Sequence, residues 1–181
     1  MAKYNYAFKQ AEEEHAAKAV GRALPISTKQ SVEICNFIRQ MSIEKAKRRL
    51  ADVINKKSAV PFKRFNDNIG HKKGMIAAGR YPEKACSHVL KLLESVEANA
   101  QFKGLNTANL VITHICANKA ARPWHYGRQR RRKTKRTNVE IIVEERTEEK
   151  KEVKPKKEKA TKGEKRPEVK KKPAKEREKI K

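Results

Sequence analysis

Aspartate is almost missing from this chain: Asp52 and Asp67 are the only two in 181 residues. That scarcity argues against a dense carboxylate site around two catalytic metal ions. A phosphate-cradling GxxxxGK[ST] loop is missing as well. Cysteine is sparse. Cys35, Cys86 and Cys116 make an odd count with no close pair, which reads as reduced thiols of a cytosolic chain. Long apolar runs are lacking too, and nothing approaches the ~20 residues of a membrane span. The polar-aromatic start runs into Glu12, Glu13 and Glu14 where a signal peptide would need an apolar segment. Secretion and membrane insertion therefore drop out as expectations.

The largest shortfall is in negative charge. Lys and Arg number 46 against 21 Asp and Glu, a net of +25. A compact chain this basic repels itself and requires a polyanionic partner, so nucleic acid leads. Residues 144–181 hold 17 basic and 10 acidic residues, three prolines, and only Val153, Val169 and Ile180 as strongly apolar side chains. Such a segment buries too little apolar surface to offset the entropy of ordering, and it is expected to be disordered in isolation. Two readings stand for it, an RNA tether or a dispensable solvated tail. Residues 1–143 keep 29 basic and 11 acidic residues, so the excess charge belongs mainly to the domain.

Apolar spacing in that domain predicts three helices. The first starts after Ser27 or Thr28, good N-caps, with Ile34, Ile38 and Met41 on one face. The second starts after Ser42 and turns Ile43, Ala46, Leu50 and Val53 one way, with Lys45, Arg48, Arg49 and Lys56 mostly elsewhere. The third has Pro82 at its first turn and Gly104 beyond its end, with Ala85, Val89, Leu92, Val96 and Ala100 in a stripe. These stripes read as core. Strand patterns follow. Leu110, Ile112, His114 and Cys116 alternate with Val111, Thr113, Ile115 and Ala117, and Val139, Ile141 and Val143 alternate with Glu140, Ile142 and Glu144. A weaker strand lies near Ala16 to Leu24. The order predicts an α+β fold: a small antiparallel sheet packed against three helices, with a long protruding β-hairpin and a disordered basic C-terminal tail. The expected organisation is an extension over 1–15, a domain over 16–145 containing the hairpin 108–143, and the tail over 146–181.

Residues 119–136 carry nine Lys or Arg and no Asp or Glu. Each arm of the hairpin is ~16 residues, roughly 50 Å if extended, more than twice an ordinary strand. The outer part must therefore protrude. Lys119, Arg122, His125, Arg128, Gln129, Arg130, Arg131, Arg132, Lys133, Lys135 and Arg136 are candidate RNA contacts. Arg forks two donors onto phosphate. Trp124 and Tyr126 can stack on unpaired bases; for Trp124, packing at the hairpin base is the competing reading. Gly127 is either the tip turn or a flexible spot. A second basic segment, Ser58 to Arg80, holds Lys63, Arg64, Lys72 and Lys73 among turn-forming residues. A loop this long is functional or disordered, so it reads as a further RNA contact or as a floppy insertion. Helix-turn-helix, zinc-finger and zipper patterns of DNA readers are missing.

No catalytic residue and no cofactor are expected. Cys86-Ser87-His88 and His114-Ile115-Cys116 tempt a metal reading. Residues two apart on a helix face differently, however, and the strand pair supplies two ligands where structural zinc wants four. The expectation is that no metal is bound.

Several stretches carry a family resemblance: Ile26-Ser27-Thr28-Lys29-Gln30-Ser31, then Ile38-Arg39 and Ser42-Ile43-Glu44-Lys45-Ala46, then Glu97-Ala98-Asn99-Ala100 with Gly104-Leu105, and Lys135-Arg136-Thr137-Asn138-Val139-Glu140-Ile141. Together they resemble the large-subunit ribosomal protein family numbered twenty-two in bacteria and seventeen in eukaryotes, over roughly Ala16 to Glu145. Val60-Pro61-Phe62-Lys63-Arg64-Phe65-Asn66 resembles the archaeal and eukaryotic branch, and Asn138 stands where a histidine is common. The resemblance implies a structural, non-catalytic constituent of the large ribosomal subunit, in the cytoplasm. It implies binding to large-subunit ribosomal RNA and to neighbouring large-subunit proteins, support of assembly, and a hairpin that lines the exit tunnel beside the nascent polypeptide. Lys29 joins the expected RNA contacts. The competing readings are a basic chromosomal DNA-compacting protein and an RNA-processing enzyme.

Overall fold

The computed structural model describes residues 4–8 and 14–146. The expected tail, apart from Arg146, lies outside them. Along the chain run β1 (Ala16–Leu24), α1 (Thr28–Ile38), α2 (Ile43–Ile54), β2 (Val60–Pro61), β3 (Gly79–Arg80), α3 (Glu83–Phe102), β4 (Leu110–Lys119) and β5 (Thr137–Glu145). This is the expected α+β order, with one small addition, the two-stranded β2–β3 ladder.

Ser27 and Ser42 occupy the N-cap positions of α1 and α2 in extended backbone, yet neither side chain caps its helix. Instead, the Ser27 carbonyl accepts both the N–H and the hydroxyl of Ser31. Met41 falls beyond the end of α1, and its carbonyl accepts the Ile112 N–H at 2.9 Å. Pro82 sits one position before α3. Beyond the helix, Gly104 takes φ +76, which lets the Leu105 N–H close on the Ala100 carbonyl at 3.0 Å.

The main sheet has the order β1-β5-β4, all antiparallel, with β5 in the centre. Ile141 pairs with Ala19 on one side and Ile115 on the other. Val139, Ile141 and Val143 pack with Ile112 and Ile115 against Ile34, Ile38, Leu50, Val89 and Leu93 of the helices. Both sheet edges are covered. Carbonyls of Ala16 and Lys18 on β1 accept from Lys103 and Asn99 of the α3 end. The turn between α1 and α2 bonds to β4 at Ile112, and the Arg39 guanidinium donates to the Ile115 carbonyl. Edge groups so occupied cannot recruit a further strand. Truncating Ile141 to alanine, in the middle of this packing, should cost about 2–5 kcal/mol in urea-monitored unfolding; a loss well under 1 kcal/mol would contradict its central place.

One sequence expectation is corrected here. Simple alternation placed Leu110, Ile112, His114 and Cys116 on one face of β4. A bulge shifts the register between Ile112 and His114, and the extra residue reverses the alternation. Leu110 and Ile112 therefore share the core with Ile115, while Ala117 packs against it. His114 and Cys116 go to the opposite face. On that face the residues 4–8 form a cover. Tyr6 and Phe8 pack on Ala16 and Ile142, the Tyr4 hydroxyl donates to Glu140 Oε1 at 2.6 Å, and the Ala7 N–H donates to Oε2 at 2.9 Å. The period-two spacing of Tyr4, Tyr6 and Phe8 is the signal for this strap.

Candidate nucleic-acid interface

The third strand stops at Leu24, opposite Thr137, so beyond that point β4 and β5 have only each other. Their pairing continues as an irregular ladder. The Ala120 N–H donates to the Arg136 carbonyl at 3.2 Å, the Thr134 N–H to Pro123 at 2.9 Å and the His125 N–H to Arg132 at 2.8 Å. A bridge joins Trp124 to Lys133. The chain reverses through a short 3₁₀ turn, Gly127–Gln129. Gly127 has φ +74, a left-handed conformation that a Cβ disfavours, so it serves as the tip turn.

On this arm Lys119, Arg122, His125, Arg128, Arg130, Arg131, Arg132, Lys133 and Lys135 are exposed. Gln129 lies in the tip turn. Arg136 is half-buried at the base, where it donates to the Ala23 carbonyl at 3.0 Å. Trp124 lies out along the arm, 59% exposed, with the Lys133 ammonium 4.1 Å from its ring centre. Tyr126 is 94% exposed. Trp124 is thus clear of the hairpin base, and its partner is a cation stacked on its face. The segment holds no acidic residue of its own, so its charges have no counter-ion within it.

The base of the arm is fixed by β1. Asn138 Oδ1 accepts the Ala23 N–H at 2.8 Å, and Ala23 bends the chain with φ +49. Asn138 therefore fills a structural role. Nearby, the Arg22 guanidinium lies 5.1 Å from the Tyr4 ring centre. A shallow groove of about 420 Å³ opens between Tyr4, Arg22, Ala120, Ala121 and Asn138.

The segment 58–80 is a folded excursion, which removes the floppy-insertion reading. Val60 pairs with Arg80 and Pro61 with Gly79, and a bridge joins His71 to Ala78. Its anchor is Glu33 of α1, only 1% exposed. The Glu33 carboxylate accepts the N–H groups of Lys63 (3.2 Å), Arg64 (2.8 Å) and Phe65 (2.9 Å). This fixes the backbone from which the Lys63 and Arg64 side chains project into solvent. The Arg64 guanidinium and the Lys29 ammonium both lie beside the Phe65 ring, at 5.4 and 5.6 Å. Two expected contacts distant in sequence, Lys29 and Arg64, are thereby gathered at one ring. Lys72, 5.6 Å from the Tyr81 ring centre, and Lys73 lie exposed farther along the excursion. Sequence reasoning missed Glu33. Its signal was visible: it is the only acidic residue in α1 and sits next to the apolar stripe.

Burial pushes the thiols of Cys35 and Cys86 up to about 12. Cys116 is raised too, by burial first and then by the charge of Glu140. These are protonated, sluggish thiols, the opposite of an activated nucleophile.

Comparison with known proteins agrees with this architecture. The family profile described as Ribosomal protein L22p/L17e matches residues 19–144. A protein of Archaeoglobus fulgidus named "Large ribosomal subunit protein uL22" is 46% identical over 153 residues, covering 81% of this chain and 99% of its own. Its namesake in Methanosphaera stadtmanae is 44% identical, covering 80% and 99%. Another in Thermoplasma acidophilum is 46% identical over 137 residues, covering 73% and 90%. A small helix-backed antiparallel sheet, a basic hairpin and these matches along the whole domain mean that the chain belongs to the L22p/L17e family of ribosomal proteins, in its archaeal-type branch.

Proposed function

We propose that this protein is a structural constituent of the large ribosomal subunit and binds large-subunit ribosomal RNA through two surfaces, the basic hairpin and the excursion anchored by Glu33. The observation that carries the reading is the arm 119–136, with nine basic residues, no acidic ones and almost every cationic side chain exposed. A two-stranded ribbon is marginal alone in water, and like charges weaken it further. Surrounding phosphates would reverse that penalty and release counter-ions. Lys29, Lys63 and Arg64 form a second phosphate-binding group. Two such surfaces on one rigid domain suit the joining of RNA segments during assembly.

Within the subunit the hairpin lines the wall of the nascent polypeptide exit tunnel, and the helical domain meets neighbouring large-subunit proteins. The site of action is the cytoplasmic ribosome. The role is positional, without turnover of a substrate, and no observation favours the DNA-compacting alternative. The decisive experiment is a density map of the assembled large subunit around Pro123 to Thr137. RNA packed along both arms with the tip at the tunnel wall is expected. A location on the small subunit, or an arm free in solvent, would overturn the proposal.

Trp124 is the single tryptophan, so its fluorescence reports on the arm alone. Adding cognate ribosomal RNA should quench it as a base stacks on the ring. Trp124→Ala should weaken binding by about 1–3 kcal/mol. Unchanged emission at saturating RNA would exclude the stack.

A further inference from the structure

The outer face of β4 and β5 carries a cluster that RNA binding does not use. His114 and Cys116 share that face because the bulge precedes them, and Glu140 is the register partner of Cys116 on β5. One donor atom from each of the three residues lies within 4.8 Å of the other two. His114 Nε2 is buried and has no hydrogen-bond partner among the described residues, a costly state for a polar atom unless something satisfies it. The geometry points to a divalent transition-metal site of the zinc class, with His114 Nε2, Cys116 Sγ and a Glu140 carboxylate oxygen as its protein ligands and a fourth position for water.

The donor chemistry selects the ion. Imidazole nitrogen, thiolate sulfur and carboxylate oxygen together suit zinc, whereas magnesium and calcium take oxygen. Zinc bonds of about 2.0 Å to nitrogen and 2.3 Å to sulfur require the donors to close by about 1.5 Å at most. Side-chain rotation supplies that much. On binding, the Cys116 S–H bond breaks, its proton leaves to solvent, and the sulfur electron pair forms the bond to the metal. His114 binds as the neutral ring with its proton on Nδ1.

The surroundings resemble the outer shell of a metal centre, where hydrogen bonds orient each ligand. Tyr4 and Ala7 donate to opposite oxygens of Glu140. The Asn118 amide approaches Cys116 Sγ at 3.6 Å and Glu140 Oε1 at 3.4 Å. The Phe8 ring stacks on His114 at 5.2 Å and 12°, fixing its plane. A bound ion would thus tie the strap 4–8 to the sheet. In sequence the H-x-C pair was visible, but the third donor lies on another strand, 24 residues after Cys116, and only strand register brings it in.

The test is titration of the reduced, metal-free full-length chain with Co²⁺ and then Zn²⁺. One equivalent of Co²⁺ should give a thiolate-to-cobalt charge-transfer band together with visible bands of a tetrahedral site, all bleached by Zn²⁺. The band should survive in Cys35→Ala/Cys86→Ala and vanish in Cys116→Ser. His114→Ala should weaken zinc binding at least tenfold, and Tyr4→Phe about tenfold through loss of an orienting hydrogen bond. Circular dichroism monitors the fold of each variant. Absence of a thiolate–metal band in the wild type, or its persistence in Cys116→Ser, would overturn the site.

Discussion

Replacing Arg130, Arg131 and Arg132 together with glutamine should lower affinity for large-subunit ribosomal RNA about 100-fold at ~0.15 M salt, and flatten its salt dependence by roughly 2–3 units of log affinity per log salt. Each phosphate contact contributes about 0.7–0.9 to that slope through counter-ion release. Near ~0.15 M salt this is roughly a factor of 4–5 per contact, and three contacts compound. All three side chains are exposed just after the tip turn, so the fold should not suffer, with a change in stability within about 0.5 kcal/mol. Binding measured at several salt concentrations decides the matter. An unchanged slope would remove these residues from the phosphate contacts, whatever happened to affinity at one salt.

The second large effect is expected at a residue that touches no RNA. Glu33→Ala strands the N–H groups of Lys63, Arg64 and Phe65 beneath the excursion. Hydrogen bonds to a carboxylate contribute about 1.5–3 kcal/mol each, and local relaxation recovers part. A net loss of about 3 kcal/mol follows, which for a domain of this size lowers the melting temperature by about 10 °C. Glu33→Gln should fall between, since its amide oxygen still accepts while its NH₂ faces an N–H. Limited proteolysis should then cut within 58–80, and RNA affinity should fall because Lys63 and Arg64 lose their fixed backbone. Wild-type protease resistance in Glu33→Ala would show that the β2–β3 ladder alone holds the excursion.

These two experiments separate charge from placement. The arginine variant removes charge from an arm whose shape is set elsewhere. The Glu33 variant leaves every cation in the chain and removes what positions two of them. A protein that merely coated RNA with positive charge would respond to the first and ignore the second.

The chain alone determined a good deal. Charge counting put the basic excess in the domain and concentrated it between two alternating segments. Apolar periodicity placed all three helices, overrunning only the end of α1 at Met41, because the 3.6-residue repeat is a property of one segment and needs no partner. Tertiary structure decided what depends on contacts between segments. The bulge in β4 arises from pairing with β5, and it alone sends His114 and Cys116 outward while keeping Ile115 in the core. Lys29 joins Arg64 because a carboxylate on α1 reaches backbone some 30 residues away. Hydrogen bonds from a side chain to distant backbone leave no period and no charge run behind. For the same reason a string of residues announces a basic arm, and only the folded chain shows what holds its base, what anchors the excursion, and which third donor completes the cluster on the outer face of the sheet.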